Sequence, residues 1–394
     1  MPKTFLPLAI LSLVACCIEM DISVPGFPDM VHYFEVSEGI IQLTLAYNFF
    51  GFCCASFIYG PLSECYGRQK IMVWGNFLLM IGAFGCVYAS TISFLLISRF
   101  IQGVGAATSA VVVFAMVADV YQKDKAVKVI GIMNSFLTIL MAIAPVIGGF
   151  INQTIGWQGN YGMVALICFV SWISLWLFLP ETKKEREPFN INKILNNYNT
   201  LFSNSNFINT SLLPSLLYTI YVSFIACAPF LYIETFGMSL LAYALHQTAI
   251  VSCFSITSLF SDKISLKIGA RNCVKRGMAI CILGILSFVV LSFVVLSLAS
   301  PYSPYLITSC MAVFCIGFSI VYPVVFTTSL EIFPKLKGIA SSAIMSMRTF
   351  LCSSVIGIIS YWYNGQPLMV ALSLLSIIII SLICVAYLLK QKTF

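Results

Sequence analysis

Twelve long apolar runs follow one another along the chain, and nineteen of its 21 lysines and arginines sit in alternate gaps between them. The runs read approximately as 5–28, 39–61, 71–90, 92–118, 127–151 and 160–179, then 207–233, 239–261, 276–298, 303–330, 338–361 and 367–389. Each is about the 20 residues a helix needs to cross a bilayer. They are apolar on all sides rather than alternating, which selects helices over barrel strands. Only 9% of the residues are charged, against about 25% in a soluble domain. The chain is therefore an all-α, multi-pass membrane protein.

The placement of charge gives the topology. Lys3 precedes the first run, Arg68 and Lys70 follow the second, and Lys123, Lys125 and Lys128 follow the fourth. Lys183, Lys184, Arg186 and Lys193 follow the sixth, and Lys263, Lys267, Arg271, Lys275 and Arg276 the eighth. Lys335 and Lys337 follow the tenth, and Lys390 and Lys392 the last. By the positive-inside rule these gaps and both termini are cytoplasmic. The net charge of +7 is thus a topology signal and not a nucleic-acid face. The intervening gaps carry acids and histidines instead, such as Asp29, His32, Glu35 and Glu38.

The longest polar stretch, 181–206, divides the chain into halves of six runs, 1–180 and 207–394. An internal repeat at an offset of 331 − 119 = 212 supports the division. Gly105 matches Gly317, Phe114 matches Phe326, Asp119 matches Glu331, Lys123 matches Lys335 and Lys125 matches Lys337. An offset of six spans preserves orientation, so the two bundles are related by a pseudo-twofold axis along the membrane normal. Parallel repeats of this kind belong to transporters that hold their substrate between two bundles. Fifteen cysteines show no metal or disulfide spacing, and nearly all lie inside runs, where they act as small apolar residues. Val14-Ala15-Cys16 has the look of a lipoprotein cleavage site, but cleavage there would remove half of the first span.

Four motifs carry a family resemblance. After span 2 the chain reads Gly60-Pro61-Leu62-Ser63-Glu64-Cys65-Tyr66-Gly67-Arg68-Gln69-Lys70, similar to the G-x-L-a-D-r-x-G-r-k signature of the major facilitator superfamily. Span 4 holds Arg99-x-x-Gln102-Gly103, which resembles that superfamily's R-x-x-Q-G motif. In span 5, Ala144-Pro145-x-x-Gly148-Gly149 resembles the antiporter motif of its drug-exporting branches. Span 1 ends Asp21-Ile22-Ser23-Val24-Pro25-Gly26-Phe27-Pro28, similar to the D-M-Y-L-P-A-L-P of the Bcr/CflA drug-resistance transporters. The resemblance implies the major facilitator fold and proton-coupled export of small amphipathic drugs. Departures from that branch include Glu64 for Asp, Ser56 for a common Gln, Ala118 before Asp119, and Gln158 after Trp157. They keep open an alternative, the same fold carrying one specific physiological solute such as a metabolite or siderophore-like compound, outward or inward.

Four ionisable residues lie inside apolar runs: Glu19, Asp21, Arg99 and Arg348. Such residues mark functional sites by default, because a charge at bilayer depth costs several kcal/mol. At 1.5 Å per residue, Asp21 lies roughly 24 Å along span 1 and Arg99 roughly 10 Å below the outer surface, depths that agree to within a turn. Pro25 cannot donate to the carbonyl of Asp21, which lets the helix bend there. Asp21 is expected opposite Arg99, and a change in their separation between access states would switch its proton affinity. Glu19 is two residues away, on another face. It is expected to bind a cationic substrate, pair with Arg348 or serve as a second proton site. Arg348 is read either as structurally paired or as a contact for an anionic or polar substrate.

Glu64 and Arg68 with Asp119 are expected to form a cytoplasmic ion-pair latch between spans 2 and 4. Glu331 with Lys335 and Arg271 would form its weaker copy. Tyr47, Asn48, Phe50, Gln102, Tyr218, Tyr221 and Phe230 are cavity candidates by position. The only histidines, His32 and His246, have no metal-ligand spacing, and no nucleotide-binding loop is present. The chain is accordingly expected to be no enzyme and to need no cofactor beyond a proton gradient. Its expected partners are a small molecule, protons and the bilayer of a bacterial inner membrane, with the protein a monomer that binds no nucleic acid.

Overall fold

The computed structural model describes residues 5–121, 123–183, 186, 188–298 and 303–391. Lys3, Lys184 and Lys392 lie outside the described residues, as do the side chains of Lys123, Lys128 and Lys335. Span 1 is built from α1 (Phe5–Ser23), a 3-10 turn (Val24–Gly26) and α2 (Phe27–Phe34). Helices α3 (Glu38–Tyr66), α4 (Arg68–Val87), α5 (Ile92–Val120), α6 (Lys123–Ile155) and α7 (Trp157–Phe178) complete the first half. A short helix, α8 (Ile191–Phe202), lies in the polar linker. The second half holds α9 (Ser205–Pro229), extended by a π-helical turn (Phe230–Thr235), and α10 (Leu240–Ile268). It continues through α11 (Ala270–Leu298), α12 (Pro304–Ile332), α13 (Lys337–Trp362) and α14 (Pro367–Lys390). Among the described residues twelve helical segments are long and apolar enough to cross a membrane. No disulfide is formed among the described residues, which include all fifteen cysteines.

Two elements depart from the sequence expectation. Span 1 runs on to Phe34, past 28, because the 3-10 turn absorbs Pro25 and the helix resumes behind it. Helix α8 went unread, because a linker rich in Asn, Lys and Glu masks a 12-residue amphipathic stretch. Its signal is there to find: Asn190 caps the backbone N–H of Lys193, and Ile194, Tyr198, Leu201 and Phe202 recur at helical spacing.

Lipid tails are as apolar as the helices, so close association depends on small residues at the crossings. A side chain at Gly103 of α5 would strike the backbone carbonyl of Asn48 on α3. Gly105 lies against the backbone of Gly75 and Leu79 on α4, and Gly317 lies against Gly277 and Cys281 on α11. The matched glycines of the repeat thus make the same crossing, span 4 on span 3 and span 10 on span 9.

The two halves meet at both ends of one seam. At the outer end Gly39 abuts the carbonyl of Ser360, and Phe230 packs 6.2 Å from Phe27 and 6.0 Å from Tyr363 between ring centroids. At the cytoplasmic end Gly60 abuts the Ser342 hydroxyl. Helix α8 bridges that end, with Tyr198 donating to the Phe57 carbonyl at 2.9 Å and Leu201 packed against Ala340, Ala343 and Ile344.

These contacts set a stability test. Gly103→Val should destabilise by about 1–3 kcal/mol or more through overpacking, lowering the thermal-denaturation midpoint in detergent. Gly162→Ala, with open space at its Cα, should leave the midpoint unchanged. Equal midpoints for the two variants would contradict the close crossing.

Candidate functional site

The membrane-buried charges assemble where α1, α3 and α5 cross. Arg99 and Glu19 form an ion pair at 3.7 Å, both side chains almost wholly buried. Arg99 also donates to Gln102 Oε1 at 2.8 Å and lies 5.7 Å from the Tyr161 ring centroid. Asn48 spans the group, donating to Glu19 Oε1 at 3.1 Å and to the Arg99 carbonyl at 3.3 Å. The Gly103 crossing makes this possible, because it brings α5 against the backbone of Asn48 one helical turn from Arg99.

Asp21 does not face Arg99, which corrects the pairing expected from depth. Residues two apart on a helix point about 200° from one another, so only one of the two acids can meet α5, and it is Glu19. Asp21 is fully buried, and neither carboxyl oxygen has a hydrogen-bond partner among the described residues. It lies within electrostatic reach of Tyr218, Tyr221 and Tyr243 of the second half. Gly148 of α6 packs on the backbone of Ile22, the residue next to it, and Gly149 faces Ala244 of α10. Pro145 lies in the same helix, which continues through it. The span 5 motif therefore fills the space between Asp21's helix and the other half.

Arg348 does not pair with Glu19 or any other acid among the described residues. It donates to the Tyr322 hydroxyl at 3.0 Å, and its guanidinium lies 4.5 Å from the Tyr218 ring centroid. Of the cavity candidates, Tyr218 and Tyr221 stand at this seam, with Phe49 6.5 Å from Tyr218. Tyr47 and Phe50 instead lie on the exposed surface of α3, with Phe50 against Phe100. Their neighbour Asn48 points inward, and one or two residues along a helix turn the side chain away by 100–200°. Phe230 belongs to the outer closure, and Gln102 to the Arg99 network.

At the cytoplasmic face Gly67 takes a positive φ of 99° between α3 and α4, a conformation that favours glycine. This turn aims Arg68 into a polar cluster. Its Nε donates to Asp119 Oδ2 at 3.1 Å, Nη1 to Ser63 at 2.5 Å, and Nη2 to Glu64. The linker joins in, with Lys183 donating to Glu64 at 2.5 Å and Glu181 accepting from the Arg68 backbone N–H at 2.9 Å. The second half has no such cluster among the described residues. Glu331 is exposed, and Arg271 donates to the Leu389 carbonyl at 3.3 Å. That carbonyl sits at the end of α14, where the helix terminus attracts cations.

Sequence reading missed two features. Glu181 and Lys183 were assigned only to the linker, since nothing in their spacing joins them to Arg68. Ser12, Asn76, Ser109 and Ser171 knot spans 1, 3, 4 and 6 together, with Ser12 2.6 Å from Ser109 and Asn76 accepting from Ser171 at 3.1 Å. Asn76 is the one signal there, as a lone amide in an apolar run.

Comparison with known proteins gives a family match. The family profile described as Major Facilitator Superfamily matches residues 9–357. Multidrug resistance protein MdtM of Escherichia coli K12 is 22% identical over 367 residues, covering 92% of this chain and 88% of the relative. Chloramphenicol resistance protein CraA of Acinetobacter baumannii is 23% identical over 364 residues, covering 91% and 86%. Among solved structures, the xylose transporter XylE of E. coli, in a partially occluded inward-open conformation, superposes with a TM-score of 0.75. It is 11% identical and covers 98% of both chains, so the likeness is one of fold.

The two acids should separate cleanly in stability. Glu19→Gln leaves a buried arginine uncompensated and should cost roughly 3–5 kcal/mol, with partial recovery in the Glu19→Gln/Arg99→Gln double variant. Asp21→Asn breaks no hydrogen bond and should shift the thermal midpoint little. A large loss in Asp21→Asn with none in Glu19→Gln would contradict the observed pairing.

Proposed function

Since the chain belongs to the Major Facilitator Superfamily and is a multi-pass transporter of small molecules, we propose that it is a proton-coupled antiporter exporting small amphipathic drugs or xenobiotics. The carrying observation is Asp21, a buried carboxyl group without a hydrogen-bond partner among the described residues, set beside a Glu19–Arg99 pair that already satisfies the neighbouring charges. Burying a charge without compensation is costly, so Asp21 suits a group that is loaded with a proton in one access state and unloaded in another. Relatives named for multidrug and chloramphenicol resistance, matched over nine tenths of the chain, support drugs as the cargo.

The cycle proposed is alternating access. The halves rock about the seam, opening the Phe27–Phe230–Tyr363 closure on one side and the Gly60–Ser342 contact with its α8 strap on the other. The Arg68–Glu64–Asp119 cluster acts as the cytoplasmic latch, with Glu181 and Lys183 tying the linker to it. Each proton moving inward down a 100 mV potential supplies about 2.3 kcal/mol, enough for modest uphill export with no other cofactor. The protein works as a monomer in a bacterial inner membrane, with both termini in the cytoplasm. A carrier for one physiological solute, such as a metabolite or siderophore-like compound, is the second reading, and Arg348, without an acidic partner among the described residues, favours it.

Reconstituted protein in liposomes with an internal pH dye tests the proposal. Under an imposed proton gradient, ethidium or chloramphenicol should discharge the gradient in wild type and at least about tenfold more slowly in Asp21→Asn. Proton movement that survives this substitution would remove Asp21 from the coupling. Solute exchange without proton movement would favour the second reading.

A further inference from the structure

Arg348 lies about eleven residues into α13, deep in the span. Its hydrogen-bond partner, Tyr322, and the ring under its guanidinium, Tyr218, are both neutral groups. Nε is buried and has no partner among the described residues, although a planar guanidinium is built to hold a carboxylate with two parallel donors. Arg99, by contrast, has Glu19. Among the described residues, the buried guanidinium of Arg99 is thus balanced by an acid and that of Arg348 is not.

What surrounds Arg348 is aromatic. On α12, Phe318 lies 5.5 Å from Tyr322, and Tyr322 stacks on Phe326 at 5.7 Å between centroids. On the facing side, α9 contributes Tyr218, which contacts Phe49 of the first half at 6.5 Å. The cation therefore stands at the seam of the two halves, where access alternates, between two rows of rings. Arg348, Tyr218 and Tyr322 each keep part of their surface accessible despite their depth, whereas Arg99 keeps none.

We infer that Arg348, with Tyr218 and Tyr322, forms an anion-accepting subsite of the transport cavity, and that the protein's cargo includes, beside cationic and neutral drugs, amphipathic aromatic compounds bearing a carboxylate. The inference rests on the transporter reading and deepens it by naming a substrate class. The carboxylate takes the free Nε side of the guanidinium and supplies the missing counter-charge, while the ring stacks between Tyr218 and the α12 aromatics. Tyr322 positions the guanidinium by holding Nη1.

The test is equilibrium binding to the purified full-length protein, using 1-naphthoate and its uncharged isostere 1-naphthamide as probes. A charge-assisted hydrogen-bond pair is worth at least about tenfold in affinity, so wild type should bind the naphthoate at least tenfold more tightly than the amide. Arg348→Gln should bring the ratio close to one while still binding the amide. Arg348→Lys should keep an intermediate ratio, and it carries the test if the Gln variant fails to fold. A wild-type ratio near one, or a ratio unchanged in Arg348→Gln or Arg348→Lys, would overturn the inference. Because binding needs no gradient, this outcome is independent of whether any compound moves protons in liposomes, which alone decides the antiport reading.

Discussion

The ion pair between Glu19 and Arg99 is the constraint around which the first half is organised. Two charges removed from water in the middle of a span are tolerable only with good mutual geometry and further hydrogen bonds. The chain provides both: Asn48 braces Glu19 from α3, and Gln102 accepts from the arginine one turn along its own helix. This ties α1, α3 and α5 at a single depth. The glycine crossing at Gly103 serves the same end, since a bulkier residue would hold α5 too far away for the pair to close. With Arg99 neutralised by Glu19, Asp21 is left without a hydrogen-bond partner among the described residues.

That division gives each half a role. The first half carries the proton-exchanging candidate on a helix interrupted by a 3-10 turn at Pro25, with the Gly148 contact pressed against it from α6. The second half carries Arg348, a cation flanked by aromatic rings and without an acidic partner among the described residues. Between them the seam is fastened at its ends by contacts of different character. The outer closure is aromatic and nonpolar, with an exposed His32–Glu234 contact at 3.8 Å outside it. The inner closure combines a glycine approach, the α8 strap and, beside it, the charged cluster around Arg68. The hydrogen-bond partners in that cluster, Ser63, Glu64, Asp119, Glu181 and Lys183, all belong to the first half and the linker, so it ties the linker to the first half beside the inner closure.

The sequence made the architecture legible because bilayer physics leaves few options. Run lengths, lysine placement and the repeat at 212 residues gave twelve spans and two parallel bundles, and the matched Gly105 and Gly317 crossings follow from the same repeat. The cytoplasmic cluster was legible in part, since Glu64, Arg68 and Asp119 lie at helix ends where topology brings them together. Its partners Glu181 and Lys183 were not, because a linker's path is set by tertiary contacts. The buried pairing was misread because depth along a helix can be counted from sequence but rotation about its axis cannot. Glu19 and Asp21 agree in depth to within one turn and differ by more than half a revolution. The same rotation separates Asn48, inside, from Tyr47 and Phe50, outside. Helix α8 escaped because its apolar stripe is narrow and its composition polar.

The most direct measurement of the account is proton release on substrate binding, followed with a pH indicator in weakly buffered detergent solution and without any membrane gradient. Adding ethidium to wild type should release protons, and the Glu19→Gln/Arg99→Gln variant should release them too, because the structural pair is removed as a unit while Asp21 remains. Asp21→Asn should release none. Release that persists in Asp21→Asn and disappears in the double variant would place the exchanging proton on Glu19 and contradict the division of labour drawn here.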